Sequence, residues 1–331
     1  MEVFIPAIFV FVISVLLLSG VWAVASLGLN LQWGYTGLFN IGVAAFLAVG
    51  AYTAAILTTA PAEPTINLPG HLGGFGQPFW VGLIGAILMT GLVAFLIALP
   101  TLRLRADYLA IATIGLAEII RRYLQNARSI TGGTFPIGGI PRPGQDIGLD
   151  IGPILSDLIF FVIVIGAIVG VFLLLERSVR SPWGRVLVSI REDEDASQAL
   201  GKNTFGYKLQ AFVLGAMIMG AAGALFAHLF RVIESGTTFV PADTFLIWIM
   251  VIIGGSANNK GVILGAFLIQ GIFSFSRLFT APLSNLGGIG GFISDNFAFI
   301  RILSVGIILI LLMMYRPQGI LGEERVISKV T

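Results

Sequence analysis

A chain of 331 residues that is 56% hydrophobic and only 11% charged cannot cover a water-facing surface, since soluble domains carry roughly a quarter of their residues as charges; its solvent is a lipid bilayer. A formal net charge of +2 excludes a general nucleic-acid-binding surface. With no cysteine and only His71 and His228, disulfides, thiol nucleophiles and a histidine-rich metal centre are excluded, and no cofactor is expected.

The hydrocarbon core is ~30 Å thick and a helix rises ~1.5 Å per residue, so ~20 mainly apolar residues span it. That ruler places spans at Phe4–Leu27, Tyr35–Leu57, Phe79–Leu99, Tyr108–Leu124, Leu158–Leu175, Leu209–Phe230, Phe245–Ile253, Val262–Phe279 and Phe297–Tyr315. The fold class predicted is all-α: a polytopic membrane protein with about nine (roughly eight to ten) transmembrane helices, some interrupted. The first stretch reads as a membrane helix and not a secretory signal, because it lacks a basic flank, exceeds a typical signal core and is followed directly by further spans. The seventh is short and runs into Gly254-Gly255. It reads as a half-helix ending in a backbone break, which is tolerated only inside protein or beside a water-filled cavity. No linker or charge block divides the chain, so 1–331 reads as a single transmembrane domain.

Lysine and arginine in short loops mark the cytoplasmic side. Arg103 and Arg105, the stretch from Arg177 to Lys208, and the tail with Arg316, Arg325 and Lys329 are therefore placed inside, and Lys260 falls there too. The segment from Ala60 to Pro78, which has no lysine or arginine, and the Gly- and Pro-rich segment from Gln125 to Asp157 are placed outside. Arg121, Arg122 and Arg128 oppose this scheme.

The longest polar insertion, residues 176–208, is predicted to be cytoplasmic. Pro182 interrupts any preceding helix, and Glu192 to Leu200 predicts a short helix ending at Gly201, with Glu192, Asp193, Glu194 and Asp195 in its first turn. Such a helix is suited to docking in another protein's groove, although composition alone favours a solvated, ordinarily capped loop.

Within the spans, Thr36, Gly37, Asn40 and Gly42 put polar and small groups into apolar sequence, and serve either a translocation pathway or helix–helix association. Gly254 and Gly255 join them as pathway candidates through the predicted break. Glu118 is the only acid well inside a predicted span. An intramembrane acid is a functional candidate by default, but Arg121 and Arg122 follow three and four residues on, and local pairing is the better account. His228 is placed at the outer interface with no chemistry. The outward stretch Thr131–Gly144, with Arg142, is either a flexible loop or a gate and contact for an external protein.

The cytoplasmic string SPWGRVLVSIREDEDASQALGKN, the stretch LNLQWGYTGLFNIGVAAFLAVGAYTAA from Leu29 to Ala55, the central IATIGLAEIIRRYLQNARSITGG with GIPRP, and the terminal YRPQGILG together resemble the branched-chain amino acid permease family of ATP-driven importers. Within them Asp195-Ala196-Ser197, three residues, then Gly201 is similar to the family's cytoplasmic E-A-A-x-x-x-G motif, with Asp for Glu and Ser for the second Ala. Val43 stands where a histidine is expected and Val262 where a proline is common.

The resemblance implies the passive membrane half of an importer for branched-chain or related amino acids, in the inner membrane and not itself an enzyme. It implies four kinds of partner: a homologous second permease, two ATP-hydrolysing subunits, an extracytoplasmic solute-binding protein and the lipid bilayer. It also implies that Arg191, Glu192, Glu194, Asp195, Ala196 and Gly201 couple to the ATPase. The chain has no G-x-x-x-x-G-K-[ST] phosphate loop, so energy comes from elsewhere. A urea or short-amide permease is the alternative within the family. An ion-coupled secondary transporter using Glu118, and less plausibly an intramembrane enzyme, are the alternatives outside it.

Overall fold

The computed structural model describes residues 4–60, 74–104, 106–143, 153–234, 236–276 and 296–322. Arg105, Arg325, Lys329, most of 60–78 and part of 125–157 lie outside the described residues. The helices are α1 Phe4–Leu29, α2 Val43–Thr58, α3 Phe79–Thr101, α4 Ala106–Asn126, α5 Arg128–Thr131 and α6 Pro153–Val179, then α7 Pro182–Glu192, α8 Glu194–Ala199, α9 Thr204–Phe230, α10 Pro241–Gly254, α11 Asn259–Ser276 and α12 Phe297–Tyr315. The strands β1 Ile137–Gly138 and β2 Val232–Ile233 pair antiparallel, with Ile137 opposite Ile233.

Among the described residues, five helical stretches are long and apolar enough to cross a membrane: Val10–Tyr35, Phe79–Thr101, Leu155–Val179, Thr204–Phe230 and Asn259–Ser276. Val43–Thr58, Pro241–Gly254 and Ile302–Tyr315 are apolar but shorter. The chain is thus a polytopic helical membrane protein, and not every predicted span has full length. The predicted fourth span forms its helix, but Asp107, Glu118, Arg121 and Arg122 make it too polar for the same test.

The predicted span Tyr35–Leu57 is not one helix. Helix α1 continues into a π-helical turn, Asn30–Tyr35, the chain unwinds over 36–42, and α2 restarts at Val43 with 16 residues. Gly37, at φ +74°, supplies the left-handed backbone at which the helix stops.

Helix α9 is the central element, packed along α1, α2 and α3. Small residues set this seam: a Cβ on Gly50 of α2 would lie 2.2 Å from the carbonyl oxygen of Gly220, so the two backbones touch. Around this centre α3, α6 and α12 leave Leu88, Leu96, Leu173 and Ile310 exposed, as lipid-facing side chains require.

One end of the bundle gathers the basic segments. Arg103 stacks on Phe205, with 5.9 Å from Cζ to the ring centroid, and Asn258 Nδ2 donates to the carbonyl of Gly322 at 2.9 Å, beside Lys260. At the other end α2, α3 and α9 meet at His228. Its side chain is fully buried: Nδ1 lies 2.8 Å from the Ala224 carbonyl, Nε2 lies 3.4 Å from Thr58 Oγ1, and Phe79 packs edge-on at 4.8 Å. It stands in the last turn of α9, and α2 and α3 cover that turn.

Candidate functional site

Residues 182–199 fold as two short helices. Helix α7 begins at Pro182, where the missing N–H costs nothing. The single helix predicted over Glu192–Leu200 is divided at Asp193: its backbone is extended at φ −154° and its Oδ1 accepts the Ala196 N–H at 2.9 Å, an N-cap that starts α8. Glu192 therefore closes α7, while Glu194, Asp195 and Ala196 belong to α8. Gly201 follows at φ +79° in open space and ends it.

Helix α8 is tied down from behind. Ser197 donates to Ser189 of α7 at 3.1 Å, and Lys208 of α9 donates to both Glu194 oxygens at 2.7 and 2.6 Å. Asp195, Ala196 and Gly201 are left exposed, and Leu200 is 81% exposed.

Arg191, in the last turn of α7, reaches into the bundle. Its Nη1 donates to the carbonyl of Gly34 in the π-helical turn, and a Cβ on Gly37 would lie 3.0 Å from its Cγ. The docking-type segment and the unwound stretch are thereby joined by one side chain. Between them lies a cavity of about 240 Å³ lined by Thr36, Gly37, Leu38, Leu104, Leu109, Ile190, Arg191, Glu194 and Lys208.

A second buried connection starts at Asn30, on the same turn. Its Nδ2 donates to Asn259 Oδ1 at 3.0 Å and its Oδ1 accepts the Ala257 N–H at 2.9 Å, in the break after α10. Asn259 Nδ2 in turn donates to Glu176 Oε2 at 3.2 Å, and Glu176 pairs with Arg180. The break, the π-helical turn and the last turn of α6 thus share one polar network.

The other pathway candidates are spent on internal bonds. Thr36 Oγ1 donates to the Leu31 carbonyl at 2.9 Å. Asn40 donates to Gln32 Oε1 at 2.7 Å, accepts the Gly42 N–H at 2.8 Å, and its carbonyl accepts from Trp248 Nε1 at 3.0 Å. A Cβ on Gly42 would lie 2.8 Å from the Thr113 carbonyl. These bonds satisfy an unwound backbone inside an apolar bundle, where unpaired groups are costly.

Helix α10 ends at Gly254, as the break predicted, after beginning earlier than expected at Pro241. Gly255, at φ +111°, opens the break. The C-terminal segment seals it: the N–H groups of Ile320 and Leu321 donate to the carbonyls of Ile253 and Gly254 at 2.9 and 3.3 Å.

Glu118 lies apart from this region. Arg121 and Arg122 chelate its carboxylate at 2.7–2.8 Å, and its side chain is 38% exposed. Arg142 is paired with Asp157 and donates to the Leu229 carbonyl at 3.4 Å. Its burial, with Arg231 nearby, lowers its pKa from the usual arginine value.

Sequence reading passed over Asn30, Gln32, Glu176, Lys208 and Asn259. The available signal was polar side chains in or beside apolar helices; Asn30 with Asn259, Gln32 with Phe212 and Glu176 with Asn259 are partners far apart in sequence.

The family profile described as "Branched-chain amino acid transport system / permease component" matches residues 11–315, covering both halves of this arrangement. The chain belongs to that permease family. The Escherichia coli K12 high-affinity branched-chain amino acid transport system permease protein LivM is 33% identical over 334 residues, 95% of this chain and 70% of the relative. A probable LivM of Methanocaldococcus jannaschii is 27% identical, covering 95% and 94% of the two chains. The nucleoside ABC transporter permease protein NupC of Lactococcus lactis is 26% identical over 72% of this chain and 73% of its own. No solved structure matches the chain. This permease is the membrane component of a branched-chain amino acid importer of the ABC type, and a multi-pass membrane protein.

Proposed function

We propose that residues 1–331 form a single permease domain whose cytoplasmic segment, 176–208, docks on an ATP-hydrolysing subunit and transmits its motion to the unwound part of the first two helices. The observation that carries this is Arg191: the last residues of α7 hold both the docking surface and the Gly34 carbonyl. Asp195, Ala196, Leu200 and Gly201 form the exposed docking face, and Glu194 anchors it through Lys208.

The finer assembly follows the family: two ATP-hydrolysing subunits, a second homologous permease and an extracytoplasmic solute-binding protein that delivers a branched-chain or related amino acid. Movement of Arg191 would shift Gly34 and Gly37, and movement of Glu176 would shift Asn259 and the break at Gly254-Gly255. Thr36, Asn40 and Gly42 then shape the pathway by fixing its unwound backbone. The double chelation of Glu118 supports a structural role for it and weighs against a secondary transporter using it as proton carrier.

The test is reconstitution in vesicles. Leucine uptake must require both ATP and the added ATPase subunits. Uptake by the permease alone, driven by an ion gradient, overturns the reading, and preferential uptake of urea over leucine overturns the cargo.

A further inference from the structure

Docking uses the outer face of α8, yet the cavity behind it has a composition that docking does not explain. Leu38, Leu104 and Leu109 give it an apolar wall, and Arg191, Lys208 and Glu194 place cationic and anionic groups on the same space. At about 240 Å³ it far exceeds the ~10–15 Å³ that a single water needs. An aliphatic amino acid presents the matching set: one carboxylate, one ammonium and one branched hydrocarbon chain.

The polar groups are poised for exchange. Lys208 and Glu194 already neutralise one another, with their side chains 12% and 44% exposed. A zwitterion can take both partners without leaving a charge unpaired, its carboxylate replacing that of Glu194 on Lys208 and its ammonium replacing that of Lys208 on Glu194. Such an exchange has a mechanical consequence, since the Lys208–Glu194 pair is what fastens α8 to α9.

We propose that this cavity binds a free zwitterionic aliphatic amino acid from the cytoplasmic side, and that occupancy loosens α8 and slows further import. The proposal rests on the import reading for the nature of the cargo, and adds to it a product-sensing site distinct from the docking face.

Leu104 gives a clean probe, because it lines the cavity, is 41% exposed and belongs to neither coupling network. The experiment measures radiolabelled leucine binding to the purified ATPase-bound complex without solute-binding protein, and the initial rate of ATP-driven uptake with and without leucine on the ATP side. The wild type is expected to bind leucine and to slow several-fold when leucine is present on that side. Leu104→Trp, which fills the cavity, should weaken binding at least tenfold and abolish the slowing while retaining uptake in leucine-free vesicles. Leu104→Ala, which removes part of the wall, serves as the second variant should the tryptophan prevent assembly, and should also weaken binding.

Normal uptake with no leucine binding, or binding unchanged in both variants, overturns the site and leaves the import reading standing. Equal binding of lysine overturns it as well, since Glu194 is the one carboxylate among the lining residues and a second ammonium has no partner there. Leucine binding that is lost in Leu104→Trp, in a complex that shows no ATP-driven uptake, upholds the site and overturns the import reading instead.

Discussion

The guanidinium of Arg191 donates to the main-chain carbonyl of Gly34, so the last turn of α7 holds the turn at which the first membrane helix stops being regular. The bond is made by Nη1 at the far end of the side chain, and the ammonium of lysine sits on a shorter side chain that does not carry a donor as far. Arg191→Lys and Arg191→Ala are therefore expected to lower ATP-driven leucine uptake roughly tenfold, the equivalent of losing ~1.4 kcal/mol of a charge-assisted bond, while ATP hydrolysis by the assembled complex continues. Parallel assays of hydrolysis and uptake check this; unchanged uptake in Arg191→Ala removes the residue from the transmission.

Gly201 stands at φ +79° with its N–H bonded to the Gln198 carbonyl at 2.9 Å and open space where a side chain would go. Proline lacks that N–H and cannot reach a positive φ, whereas asparagine tolerates it. Gly201→Pro should abolish coupled uptake with membrane insertion intact, and Gly201→Asn should retain most of it. Charge reversal at Asp195, on the exposed face, is expected to weaken co-purification of the ATPase. Equal behaviour of the proline and asparagine variants would place the docking function elsewhere.

The Gly50–Gly220 contact leaves no room for a methyl group, since the added Cβ would meet a backbone carbonyl at 2.2 Å. Gly50→Ala should cost about 1–3 kcal/mol by overpacking and lower the melting temperature in detergent. Gly115→Ala, on a helix position with nothing within 4 Å, is the matched control, and should be neutral or stabilising by up to ~1 kcal/mol.

Asn30 satisfies Asn259 and the Ala257 N–H from a site with no solvent access. Asn30→Leu strips two buried groups of their partner, at about 1–3 kcal/mol each, and frees the break from the first helix. The expected result is lowered thermal stability together with hydrolysis that cargo no longer stimulates. A variant equal to wild type in both measurements refutes this role.

Glu118→Gln should leave uptake within about twofold of wild type, because a partly exposed ion pair contributes only ~0–1 kcal/mol, and a protonophore should not distinguish the two. Complete loss of uptake would revive the proton-carrier reading.

The polar breaks in the apolar sequence were legible one at a time: Asn40 among glycines, Gly254-Gly255 after a short apolar run, an acidic start before Gly201. The division at Asp193 was harder to read, because Glu192 to Asp195 is a run of four acids and only the backbone reveals which one turns out of the helix to cap the next. The partners of His228 were hidden for a related reason. Position in a helix gives depth, but not which neighbours surround that depth.

By itself the sequence determined the solvent and the helical class, because burial of backbone in lipid constrains composition and length over the whole chain, and its motifs carried the family. Only tertiary structure decided which polar side chains meet. Arg191 with Gly34, Lys208 with Glu194, and Asn30 with Asn259 each depend on how separate helices cross, and that is set by close packing among residues distant in the chain.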